Sequence, residues 1–131
     1  MKIIIKFVVI LLLFWGCEEE TIKPNPVSLI QGKWKIVMIG NGDNLLPYET
    51  QYIIEYYNDS LLREYDTAID QYTFYAKFTI DDNLLIEHYY YEEDTLFSKF
   101  EYEFYDENRK LKLIRKNLIA NFNTQVLQRQ E

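Results

Sequence analysis

From Leu29 onward apolar and polar residues alternate with a period of two. No long segment holds the 3.6-residue spacing of an amphipathic helix. The pattern predicts eight strands: Lys33–Ile39, Gln51–Tyr57, Ser60–Asp66, Gln71–Ile80, Leu84–Tyr91, Thr95–Tyr105, Arg109–Lys116 and Phe122–Arg129. Tyrosine and phenylalanine (12 and 8 in the chain) supply much of the apolar content, as suits half-buried strands. The linkers are short and polar, such as Asn58-Asp59, Asp81-Asp82-Asn83 and Asp106-Glu107-Asn108. Linkers of that length force neighbours to pair antiparallel, as a meander. Gly40-Asn41-Gly42-Asp43-Asn44 reads as a flexible loop after the first strand.

Alternation sets which side chains share a face. In the fourth strand Tyr72, Phe74, Ala76, Phe78 and Ile80 fall together, opposite Gln71, Thr73, Lys77 and Thr79. In the fifth, Leu84, Ile86, His88 and Tyr90 share a face. Two turns compete between them. A two-residue turn at Asp82-Asn83 puts Phe78 opposite Glu87. A three-residue turn over Asp81-Asp82-Asn83 pairs Phe78 with Ile86 and Phe74 with Tyr90. The second buries an apolar face and gives Asn83 a left-handed position, so it is the expected register. The sixth strand adds Leu96, Ser98, Phe100, Tyr102 and Phe104 to the same face. A tight turn at Glu107-Asn108 then sets Phe104 against Leu111, Tyr102 against Leu113 and Phe100 against Arg115. A single layer with one apolar face must hide it, by curling into a closed barrel or splitting into a sandwich. Eight strands enclose either a packed interior or one small ligand.

The start of the chain has another character. Lys2 and Lys6 precede the apolar run Phe7–Trp15 and then Gly16, which is too short to span a bilayer and fits an export signal. Leu13-Phe14-Trp15-Gly16-Cys17 resembles a bacterial lipobox, which implies removal of residues 1–16 and acylation of Cys17, the only cysteine. The Glu18-Glu19-Glu20 triplet looks like the surface-export signal of Bacteroidota lipoproteins. A solvated linker reads the same way, so the cell surface and the periplasmic face of the outer membrane both stay open. Residues 17–28, with Pro24 and Pro26, are expected to form a flexible tether, and residues 29–131 the folded domain.

Leu29-Ile30-Gln31-Gly32-Lys33-Trp34-Lys35-Ile36 resembles the Gly-x-Trp opening of the lipocalins, and more closely that of bacterial lipocalin-like lipoproteins. The likeness runs on through the hairpins to Val126-Leu127-Gln128-Arg129. It implies an all-β, antiparallel, eight-stranded up-and-down barrel plugged at one end by Trp34. An arginine near the last strand would lie across that ring: Arg129, with Arg115 as the alternative. Trp34 as a plain core residue would be buried in the same way.

Charge and chemistry narrow the function. The chain carries 14 basic and 21 acidic residues, a net charge of −7, and losing Lys2 and Lys6 leaves the mature part still more acidic. Such a surface repels phosphate backbones, which argues against nucleic acid as a partner. Membrane attachment would then come from lipid on Cys17. One cysteine allows no internal disulfide and no thiol zinc site, and no metal or other cofactor is expected. His88, the only histidine, lacks a nucleophile motif to serve, so no catalytic residue is expected. The expected function is non-enzymatic binding of a small apolar or amphipathic ligand. Its candidate site is Phe74, Phe78, His88, Tyr90, Ser98, Phe100, Tyr102 and Arg115, aromatics with a few polar groups to orient an acidic head. The rival reading is a packed barrel that binds a partner protein through its outer face or loops.

Overall fold

The computed structural model describes residues 22–117 and 121–131. The expected signal, Cys17 and the acidic triplet lie outside them. A short helix, α1 (Pro26–Ile30), leads into β1 (Gly32–Asn41), β2 (Asn44–Pro47), β3 (Tyr52–Tyr57), β4 (Leu61–Asp66) and β5 (Gln71–Ile80). The chain continues through β6 (Leu84–Tyr91), β7 (Asp94–Tyr105), β8 (Lys110–Arg115) and β9 (Thr124–Gln130). All pairings are antiparallel. The last strand returns to the first along Lys33–Gly40, so the sheet closes into a barrel-like ring. The all-β, up-and-down, antiparallel class is therefore the one the alternation predicts.

Among the described residues nine strands form where eight were expected. Gly42, at φ +59°, makes the turn that folds Asn44–Pro47 back onto Met38–Asn41. A Cβ at Gly40 would lie 1.9 Å from the Asn44 carbonyl oxygen, so only glycine permits that approach. The stretch expected to be a flexible loop is thus a hairpin. Because β9 occupies one edge of β1 along its length, β2 and β3 must share the other in succession. Eight positions still run around the ring, and the second is a strand broken over Tyr48–Gln51.

The segment expected to be a flexible tether is helical at its end. Asn25 accepts the Val27 amide at 3.0 Å and Pro26 supplies a preset first helical φ, so α1 takes up residues 26–28.

Register decides what faces inward. At the Glu107-Asn108 turn both residues take positive φ, and Phe104, Tyr102 and Phe100 face Leu111, Leu113 and Arg115 as expected. The β5–β6 hairpin differs. It uses the two-residue turn, pairing Phe78 with Glu87 and Lys77 with His88. Leu85, Glu87 and Tyr89 therefore point inward, while His88 and Tyr90 point outward. A bulge at Thr73 makes a second correction: Phe74 pairs with Glu64 but Tyr72 with Tyr65, which turns Tyr72 to the outside.

The core fills one half of the ring. Ile30, Trp34, Phe78, Leu85, Leu111 and Leu127 are all buried there, beneath α1 and the turns at Asn58-Asp59, Asp82-Asn83 and Glu107-Asn108. This is the closed end.

Candidate binding site at the open end

Closure is built by Trp34 and Arg129, which face each other across β1 and β9. The Trp34 indole donates to the Ile30 carbonyl at 2.8 Å, tying the plug to α1. The Arg129 guanidinium carbon lies 4.2 Å from the Trp34 ring centre. Its three nitrogens donate to the carbonyls of Gln31, Leu29 and Asn108, at 2.7, 2.5 and 3.3 Å. Those acceptors belong to α1, its exit and the β7–β8 turn, so one side chain fastens three segments. Arg115, the alternative partner, lies elsewhere.

Above the core, toward the other end, the interior turns polar. Glu87 is 7 % exposed, and its carboxylate accepts the hydroxyls of Tyr56 and Tyr89. Burial pushes the Glu87 carboxyl up from its ordinary range, against the lowering pull of those two hydroxyls and the Arg115 charge. Burial together with the Glu87 charge raises both tyrosines in turn. Ser98 sits opposite Glu87 in β7 and accepts from Arg115 at 3.4 Å. The Arg115 guanidinium also lies 5.2 Å from the Phe100 ring centre.

Arg115 is where this buried cluster meets solvent. It lines a cleft of about 340 Å³ with Ile36, Ile39, Tyr48, Phe122, Asn121 and Gln125, between the inner face of β1 and the approach to β9. Among the described residues no carboxylate comes within 4.0 Å of its guanidinium. A positive group at the side of a largely apolar cleft can hold an anionic head while the walls take an apolar body.

The sequence-predicted site is split by these facts. Phe78 and Phe100 are buried core, beneath the cleft rather than lining it. Tyr102 donates its hydroxyl to the Asp81 carbonyl near the closed end. Phe74 stays on the inner face at the rim, 5.5 Å from the Tyr89 ring. His88 and Tyr90 are removed from the interior by the two-residue turn, and Lys77 lies 5.7 Å from the outward Tyr90 ring. Of the expected set, Ser98, Phe100 and Arg115 are brought together. Glu87, Tyr56 and Tyr89 fall outside that set. The signal for Glu87 is present in the sequence, since the register that faces it to Phe78 is one of the two that the alternation allows. Ile39, Tyr48 and Phe122 give no signal, because a bulge at Val37 and loops carry them to the mouth.

No protein-family model matches this chain, and no curated protein matches it.

Proposed function

We propose that this chain is a non-enzymatic binding protein of the bacterial outer membrane, anchored through acylated Cys17. It holds a small apolar or amphipathic molecule at the open end of the ring, with an acidic head on Arg115. The observation that carries this reading is Arg115 itself. It is an arginine with no carboxylate partner among the described residues, beside apolar walls and steadied from below by Ser98 and Phe100. Titration with 1-anilinonaphthalene-8-sulfonate, an anionic amphiphile, tests it. Saturable fluorescence enhancement is expected, weakened about tenfold or more in Arg115→Met. Enhancement that does not saturate, or that Arg115→Met leaves unchanged, overturns the reading.

The anchor has its own test. Cys17→Ser is expected to move the protein from the membrane fraction to the soluble one, and continued attachment defeats the lipid-anchor reading. A second reading, a protein-interaction module, is favoured by the outward Tyr75, Tyr90 and Phe97 of β5–β7, exposed by 60 %, 61 % and 44 %. Loss of a co-purifying protein in Tyr75→Ser/Tyr90→Ser, with anilinonaphthalene sulfonate binding intact, would favour that second reading.

A further inference from the structure

The outer surface carries a second cleft, across β1, β3, β4 and β5 and away from the mouth. It measures about 280 Å³ and is lined by Lys33, Ile53, Glu55, Tyr65 and Tyr72. The bulge at Thr73 creates it by turning Tyr72 outward beside Tyr65, whose ring meets it edge-on at 5.2 Å.

The charged groups here are held in place. Arg63 Nε and the Tyr72 hydroxyl both donate to Glu55 Oε2, each at 2.8 Å. The Arg63 guanidinium lies against two rings, 3.8 Å from the centre of Tyr72 and 4.5 Å from that of Tyr57. The Arg63 bond holds the Glu55 carboxyl below its ordinary range, with the Tyr72 hydroxyl and Lys33 adding to the effect. Among the described residues both bonds to Glu55 end on Oε2, and neither Oε1 nor the terminal nitrogens of Arg63 take part in a hydrogen bond.

We infer that this cleft binds the ring of a neutral saccharide. The cleft lining holds one carboxylate, Glu55, which opposes an anion, and one ammonium, Lys33, which opposes a cation, so neither sign of net charge is favoured. What remains is a neutral molecule offering hydroxyl donors and acceptors side by side. Glu55, with Oε1 uncommitted, accepts from one hydroxyl, while Lys33 donates to its neighbour. Ile53 and the Tyr65 ring meet the apolar C–H face of the sugar. The volume falls just under the roughly 300–1,000 Å³ typical of drug-sized ligands, which suits one ring rather than a long apolar chain.

Saturation-transfer difference NMR on the purified full chain tests this. The probes are methyl glycosides of glucose, galactose, mannose and N-acetylglucosamine, with acetate and choline as charged comparisons. Transfer to the ring protons of at least one glycoside is expected, falling about tenfold in affinity in Glu55→Gln and in Tyr65→Ala. Glu55→Gln keeps an acceptor for Arg63 and Tyr72, so it tests the charge with the local bonds retained. The inference is overturned by no transfer to any glycoside, or by transfer that survives both substitutions. Preferential binding of acetate or choline also overturns it. Displacement of anilinonaphthalene sulfonate by the glycoside would put the sugar in the mouth and overturn it too.

Discussion

The two ends of the ring use the same residue type in opposite ways. At the closed end Arg129 lies on a fully buried indole and donates from every nitrogen to backbone carbonyls of three segments. At the open end Arg115 makes, among the described residues, one long side-chain bond, to a serine, and lines a cleft. A saturated arginine is a structural fastener, because removing it strands carbonyls that have lost water. An under-used arginine keeps donors that no described residue takes up. The difference separates the half of the molecule that fastens the fold from the half we propose as the binding end.

That contrast is broken most decisively at Trp34. Trp34→Ala is expected to cost about 3–5 kcal/mol in urea denaturation, since the ring is wholly buried. A loss under about 1 kcal/mol would show that the closed end is not the stabilising half. Arg129→Met should follow with a loss of roughly 2–3 kcal/mol, because it leaves carbonyls unpaired and takes the cation off the indole face. If the same change at Arg115 cost as much, the distinction between the two arginines would fail. Arg115→Met is expected to alter stability by no more than about 0.5 kcal/mol.

Glu87 sharpens the comparison through pH. Its folded pKa is raised by burial above the unfolded value of about 4.3. Between those two values the native state binds more protons than the unfolded one, so Glu87 makes stability fall as pH rises. The decline begins near the unfolded pKa and is complete above the folded one. Other carboxylates titrate too, and Glu55, lowered by Arg63, acts in the opposite sense. The difference between the native chain and Glu87→Gln isolates the effect. That difference should decline from about pH 4 upward and then level off. A flat difference would mean that Glu87 is not a buried acid.

Much of this architecture is written in local alternation, and its errors have physical causes. The β7–β8 hairpin is legible residue by residue, because one register alone both places the turn and buries apolar side chains. At β5–β6 two registers compete, and the one that buries Ile86 is the better on local grounds. The molecule instead points Glu87 inward, because the hydroxyl of Tyr56, on β3, meets it there across the ring. A partner that far along the chain leaves no mark on the local pattern. The bulges at Thr73 and Val37 each shift a strand by one residue, with little in their immediate neighbours to announce it. Consequently the Trp34–Arg129 contact is the one that the resemblance of the Gly-x-Trp opening implied, and alternation reached Ser98 and Arg115, whereas the rest of the mouth and the outer cleft, both made by irregularities, left no local mark.

The seam between β1 and β9 has a kinetic consequence. A meander can assemble hairpin by hairpin as it emerges, but this ring cannot close until its last strand exists. First-to-last pairing also carries the largest loop-closure cost in the molecule, which places it among slow-folding topologies. Until Thr124–Gln130 arrives, β1 and β8 each present an open hydrogen-bonding edge to any neighbouring chain. Its seven residues are therefore also the device that ends the interval in which the nascent chain is open to aggregation.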